Sequence, residues 1–207
     1  RFALLMEHGA DVNVLYRCGS TPLHIAVNKG NGEMAQLLLT HGANVDAPDA
    51  FGAAPLHIGA SLGMVAEMAL LIKHGANVEA RDKSERTPLH RAAGDANLVN
   101  LMLRHGAEID ARDYEGCTPL HHAAMLGCID AAQILIQNGA QPEARNNLRE
   151  PVLYFSIGTP VLAVLLQHDA DVHHCNVEQM APLHQAAFDG LEKDVELIMC
   201  STKDFLL

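Results

Sequence analysis

The stretch Gly116-Cys117-Thr118-Pro119-Leu120-His121-His122-Ala123-Ala124-Met125-Leu126-Gly127-Cys128-Ile129-Asp130-Ala131-Ala132-Gln133-Ile134-Leu135-Ile136-Gln137-Asn138-Gly139-Ala140 decides how the rest of the chain is read. Thr118 carries a hydroxyl that can accept from an early helical N–H, and Pro119 follows at the first helical position, where a missing donor costs nothing. Gly127 allows a reversal. Ile129, Ile134 and Leu135 give apolar spacing for a second helix, and Gly139 supplies the left-handed residue that ends it. The stretch predicts a helical hairpin.

The pattern returns along the chain as Thr21-Pro22-Leu23-His24, Ala54-Pro55-Leu56-His57, Thr87-Pro88-Leu89-His90, Thr118-Pro119-Leu120-His121 and Ala181-Pro182-Leu183-His184. A degenerate Glu150-Pro151-Val152-Leu153 stands between the last two, and the successive offsets are 33, 33, 31, 32 and 31 residues. A second marker keeps step: His8-Gly9-Ala10, His41-Gly42-Ala43, His74-Gly75-Ala76, His105-Gly106-Ala107, Asn138-Gly139-Ala140 and His168-Asp169-Ala170. Two markers in phase describe a chain built from repeats.

In this period and in its Thr-Pro-Leu-His-x-Ala signature the chain resembles the ankyrin repeat family over essentially all 207 residues. The resemblance implies a mainly α fold, an ankyrin repeat solenoid of stacked helix-turn-helix units with β-hairpin fingers, as a single domain over 1–207. Units are expected at approximately 1–20 (partial), 21–53, 54–86, 87–117, 118–149, 150–180 and 181–207. One unit is too small to bury both helices, so Leu37, Leu38, Leu70, Leu71, Leu101, Leu103, Ile134, Leu135, Leu165 and Leu166 need neighbouring units. Between hairpins, segments such as Asn44-Val45-Asp46-Ala47-Pro48-Asp49 have the composition of turns and are read as the fingers.

Departures from the pattern are expected to show locally. The units at Thr87 and Glu150 are two residues short between their helices, and Thr159-Pro160 reads as a fresh N-cap and first helical residue. The unit at Glu150 also lacks the capping Thr, has Leu153 in place of the signature His, then Tyr154 and Phe155, and ends its second helix on Asp169 instead of Gly. It should be the least regular unit.

Composition narrows the function classes. A formal charge of −11 opposes non-specific nucleic-acid binding, which relies on neutralising phosphates. No apolar run approaches the roughly 18 residues of a membrane span, so membrane insertion is not expected. The five cysteines form no C-x-x-C pair, which suggests reduced thiols and an intracellular setting, cytoplasmic or nuclear. The opening Arg-Phe-Ala-Leu-Leu-Met-Glu-His-Gly-Ala matches a second helix without its first, so a fragment of a longer protein is expected.

Thirteen histidines invite a metal or catalytic reading. Ten recur at the repeat period, five in the signature and five at His8, His41, His74, His105 and His168, where a partly positive side chain suits a helix C-terminus. His173-His174-Cys175 alternates sides if extended and has no second ligand pair at zinc spacing. There is no Gly-rich phosphate loop and no arrangement of nucleophile, base and orienting group. The expectation is no enzyme activity, no metal and no cofactor.

Function is then expected on surfaces. The residue after each signature His varies (Ile25, Ile58, Arg91, His122, Tyr154, Gln185), and the resemblance implies binding through the concave helix face and the finger tips. Candidate partner-binding residues are Phe51, Arg81, Lys83, Arg86, Arg91, Arg112, Tyr114, His122, Arg145 and Arg149, with Arg and Tyr being types enriched at binding hot spots. Residues 81–149 hold eight basic and nine acidic residues, so this basic series is a local contrast on an acidic chain, and its alternative reading is solvated fingers paired with Asp82, Glu85, Asp113 and Glu115. The expected role is a non-catalytic scaffold, monomeric, gripping a protein or peptide with acidic residues. The alternative is a regulatory or substrate-recruiting segment of a larger enzyme, channel or ubiquitin-ligase adaptor. For Asn13 and the Asn/Asp series of the fingers, turn formation is preferred over asparaginyl hydroxylation, a modification known from similar fingers.

Overall fold

Helices start at the recurring tetrads, and the signature histidine explains why. The Thr21 N–H donates to His24 Nδ1 at 3.1 Å, Thr21 Oγ1 lies 2.8 Å from the same nitrogen, and the His24 N–H donates to Thr21 Oγ1 at 3.4 Å. Two backbone donors at the helix start are thus satisfied reciprocally. Ala54 and Ala181 have no hydroxyl, yet their N–H groups still donate to His57 and His184 Nδ1 at 3.1 Å, so half of the cap survives.

The computed structural model describes residues 8–201; the helix expected from the opening residues 1–7 and the tail 202–207 lie outside the described residues. Twelve α-helices occur among the described residues, taken in pairs along the chain. They are α1 (Pro22–Asn28) and α2 (Gly32–Thr40), α3 (Pro55–Leu62) and α4 (Val65–Lys73), α5 (Pro88–Ala92) and α6 (Ala96–Arg104). Then come α7 (Pro119–Leu126) and α8 (Ile129–Gln137), α9 (Val152–Ser156) and α10 (Val161–Gln167), α11 (Pro182–Phe188) and α12 (Glu192–Ser201). At the ends of second helices, His41 Nδ1 donates to the Leu37 carbonyl and Asn138 Nδ2 to the Ile134 carbonyl, both at 2.8 Å, each adding a side-chain donor to a carbonyl that also accepts the same residue's N–H.

The described residues fall into two compact groups, 8–92 with 101–107, and 93–100 with 108–201. In the first, α1 packs on α3, α3 on α5 and α2 on α4, around Leu23, Leu38, Leu56, Met68, Leu71 and Leu89. In the second, α7 packs on α9, α9 on α11, α8 on α10 and α10 on α12, around Leu120, Leu135, Leu153, Leu162 and Leu165. Of the apolar pairs expected in the core, one member is fully buried and the other half-buried, as with Leu38 and Leu37 or Leu135 and Ile134. In α6 the deep position is Met102, between the half-buried Leu101 and Leu103.

The fingers are turns, which corrects the expectation of β-hairpins. Each is organised by one Asp or Asn whose Oδ1 accepts two backbone N–H bonds: Asp49 from Phe51 and Ala53, Asp82 from Ser84 and Arg86, Asp113 from Glu115 and Cys117. Asn146 does the same for Leu148 and Glu150, and Asn176 for Glu178 and Met180. These side-chain bonds occupy donors that a ladder would use, and among the described residues the β pairing is a single isolated bridge, Arg145 to Pro151. Successive tips are joined through the backbone, Ala50 N–H to the Cys18 carbonyl (2.8 Å) and Lys83 N–H to that of Phe51 (2.9 Å) in the first group. In the second group Asn147 N–H donates to the Glu115 carbonyl (2.9 Å) and Val177 N–H to that of Leu148 (3.1 Å). The close approach needs a left-handed tip residue: Gly52 has φ of 75°, and a Cβ there would lie 2.9 Å from the Lys83 nitrogen.

The finger at Asn146 also fixes the register of the degenerate unit. Counted from its Asx residue as in the other fingers, the cap position falls on Pro151, so this unit opens one residue later than the Glu150 expected from sequence. Leu153 then holds the buried Leu position, Tyr154 the His position and Phe155 the variable position after it. The α9 helix has five residues and no side-chain cap, and Asp169 closes its partner helix at φ of 57°. Losing a cap costs about 0.5–2 kcal/mol. Amides of α9 are therefore expected to exchange faster than those of α7; equal protection in native-state hydrogen exchange would show that the missing cap is compensated.

Candidate functional site

The basic residues singled out in the sequence divide into those that anchor the base of a finger and those nearer its tip. Asp82 is 4% exposed, and its Oδ2 lies 2.6 Å from Arg91 Nη2 and 3.4 Å from Arg86 Nε. Burial alone would push this carboxyl up; the Arg91 hydrogen bond and the N–H groups of Arg86 and Ser84 outweigh it and hold Asp82 below the usual carboxylate range. Arg86 also reaches Ser84 Oγ at 3.2 Å. Arg86 and Arg91, both half-buried, thus hold the base of their own finger.

In the second group Asp113 plays the same part. Its Oδ2 lies 2.8 Å from His122 Nε2, nine residues on, as Arg91 is from Asp82. Buried finger aspartates therefore meet a cationic or protonatable side chain, whereas Asn146 and Asn176 stand where the residue nine on is Phe155 or Gln185. Asp49, opposite Ile58, is the exception and is only half-buried. At Arg91 and His122 the residue after the signature His is thus coupled to the finger base, a role that sequence variation alone did not show.

The remaining candidates are more exposed. Phe51 is 64% and Tyr114 76% exposed, and Lys83 and Arg149 are exposed at their tips. Arg81 donates to the Glu85 carbonyl at 3.1 Å, Arg112 Nη2 bonds the Arg145 carbonyl, and Arg145 itself is half-buried. Leu148 (54% exposed) and Val177 (50%) were not picked out from the sequence. The tip bonds bring the finger of Leu148 beside that of Tyr114, whose carbonyl accepts from Asn147 Nδ2 at 3.0 Å, and Val177 beside Leu148. Their signal was position, one or two residues after the finger Asn. Asn13 is structural: its Oδ1 accepts from the Asn44 N–H at 2.8 Å, as Asp46 Oδ1 does from the Asn77 N–H at 2.9 Å.

One cluster was not anticipated, that of Asp113, Glu115 and Cys117, whose potential ligand atoms lie within 4.8 Å of one another. It suits a cation poorly. Both Asp113 oxygens already accept hydrogen bonds, and burial, with Asp113 nearby, pushes the Cys117 thiol up to about 12, so it stays protonated.

Among the described residues no helix is long and apolar enough to cross a membrane. A search among curated proteins finds no match. A family model described as ankyrin repeats, three copies, matches residues 2–82 and 68–146. That span covers well over half the sequence and coincides with the histidine-capped hairpins and Asx-turned fingers, and on this footing the chain belongs to the ankyrin repeat family.

Proposed function

We propose that the chain binds a partner protein through its finger tips, with Phe51 and Lys83 as contact residues in the first group and Tyr114, Leu148 and Arg149 in the second. Ankyrin repeats generally serve as protein–protein interaction modules, which supports a binding role over catalysis. The observation that carries the reading is the exposure of large apolar side chains beside cations at tips whose spacing is held by backbone bonds. Such a surface suits a partner that offers apolar side chains flanked by Asp or Glu. Arg112 and Arg145, on neighbouring fingers, extend the basic character, whereas Arg86, Arg91 and His122 act by positioning the fingers. An intracellular setting is part of the proposal and is supported by five cysteines, none of which is in a disulfide.

The test compares captured proteins, identified by mass spectrometry, for the parent and for two double variants, Phe51→Ser with Lys83→Glu and Tyr114→Ser with Arg149→Glu. These side chains are exposed, so unfolding midpoints should stay close to the parent's. A specific partner should lose at least tenfold in affinity with one pair or both. Unchanged affinity in both variants would move the binding surface away from the finger tips.

A further inference from the structure

We propose that the reversal edge of the second group, the end of its hairpins away from the fingers, is a docking site for a basic amphipathic helix of a partner protein. The reversals there touch in series. A Cβ on Gly94 would lie 3.5 Å from Leu126 Cδ1, one on Gly127 3.6 Å from Pro160 Cδ, and one on Gly158 3.4 Å from Leu191 Cδ1. Polar contacts reinforce the row: Cys128 Sγ lies 3.4 Å from the Gly94 carbonyl oxygen, and the Gly158 N–H donates to Asp194 Oδ2 at 2.5 Å. Apolar side chains stand out from it. Leu126 is 57% exposed, Met125 and Ile129 are exposed beside it, and Phe188, 83% exposed, holds in its hairpin the place of Met125. Between these two hairpins, the shortened reversal at Gly158 leaves a recess of about 460 Å³ walled by Pro160, Ala163, Leu191 and Leu197. Exposed apolar side chains gathered round a recess mark an interaction surface.

Charge identifies the occupant. Arg112, Arg145 and Arg149 of this group all lie in fingers, whereas its hairpins hold Asp95, Asp130, Asp189, Glu192, Asp194 and Glu196, with Lys193 as their one Lys or Arg. Asp95 and Asp194 are engaged by backbone N–H groups. Asp130 and Glu192 are exposed at the starts of α8 and α12, while the start of α10 forms the floor of the recess. Because α10 packs against both of these helices, carboxylates stand on either side of an apolar recess. Their first-turn positions also suit the helix dipoles, a role that calls for no exposed Leu or Phe nearby. A partner helix with one apolar face and Lys or Arg along its flanks matches both features. The finger tips, apolar and basic, take the opposite chemistry, so the two surfaces select different segments.

The experiment titrates the full chain with a labelled peptide of about 18 Leu and Lys residues patterned as an amphipathic helix, read by fluorescence anisotropy. Two control peptides share its length, one with the same composition but no apolar face and one with Glu in place of Lys. The patterned peptide is expected to bind about tenfold more tightly than either. Leu126→Ser with Leu197→Ser, and separately Asp130→Lys with Glu192→Lys, should each cost about tenfold in affinity, with unfolding midpoints close to the parent's because all four side chains are exposed. Tyr114→Ser with Arg149→Glu, at the finger tips, should leave the peptide's affinity unchanged even where it abolishes capture of the finger partner. Absent binding, or equal binding of the patterned and unpatterned peptides, would overturn the proposal. So would binding lost in the finger variant and kept in both edge variants. Peptide affinity that rises on deletion of residues 202–207 would assign the edge to that tail, and parent self-association abolished by the edge variants would assign it to a second copy; either overturns it as well.

Discussion

Replacing Asp82 by Ala is expected to destabilise the first group by about 2–4 kcal/mol, because a buried ion pair loses one partner while the other stays. Three hydrogen bonds and one ion-pair contact go at once: the bonds from the N–H groups of Ser84 and Arg86 to Oδ1 and from Arg91 to Oδ2, and the contact of Arg86 Nε with Oδ2. Leaving buried donors unpaired costs about 1–3 kcal/mol each, moderated here because Arg86 and Arg91 are about a third exposed and can turn to water. Asp82→Asn separates the contributions. It keeps the Oδ1 acceptor, as Asn146 and Asn176 do in their fingers, but replaces the charged Oδ2 that Arg91 and Arg86 meet by an NH2 group that cannot accept from them, so about 1–2 kcal/mol is expected, because both guanidinium groups can turn to water. Urea unfolding gives the totals, and amide exchange at Ser84 and Arg86 reports the finger alone. If Asp82→Ala costs no more than Asp82→Asn, the side chain is not what turns the finger.

Acidification from pH 6.5 to 4 is expected to remove on the order of 3 kcal/mol through His121 alone. Burial pushes this imidazole down to about 4 from 6.5, because the ring sits in the core with its Nδ1 bonded to the Thr118 N–H. Its Nε2 faces the Glu150 backbone without a well-formed hydrogen bond, and Phe155 stands edge-on at 5.3 Å between ring centroids. The folded state therefore binds fewer protons than the unfolded one between the two values. Stability is fully present above pH 6.5 and falls by about 1.4 kcal/mol per pH unit until the folded-state value is reached. His57, also lowered by burial, acts in the same direction, while Asp82 contributes only at still lower pH. His121→Gln should flatten the pH dependence of unfolding by about one proton in this window. An unchanged slope would show that His121 is not the titrating group.

The hairpins were readable because their signals are local: Pro at the first helical turn, Gly at the reversals and a period kept by two independent markers. The finger anchors were readable only as a general pairing of the basic series with Asp82 and its acidic neighbours, since nothing in Asp82 or Arg91 alone says which residues meet. Only the turn closed by Asp82 brings residues nine apart into contact. The same blindness displaced the degenerate unit by one residue. Pro151 matched the proline of the tetrad, whereas the turn at Asn146 assigns it the cap position and puts Tyr154 where a histidine stands elsewhere. Exposure separated Lys83 and Arg149 from Arg86 and Arg91, four cations that are alike as letters in the sequence.

The bonds linking successive finger tips run between main-chain atoms, Lys83 to Phe51 in one group and Asn147 to Glu115 in the other. Apart from the Asn147 side chain on the Tyr114 carbonyl, spacing between tips is therefore indifferent to what the tip side chains are. A position such as Tyr114 or Phe51 can be exchanged for almost any residue without disturbing its neighbours, provided the left-handed residue and the Asx that turn the finger are kept. The fingers thus separate inheritance from invention: the frame is copied from unit to unit, and new specificity can be grafted one tip at a time.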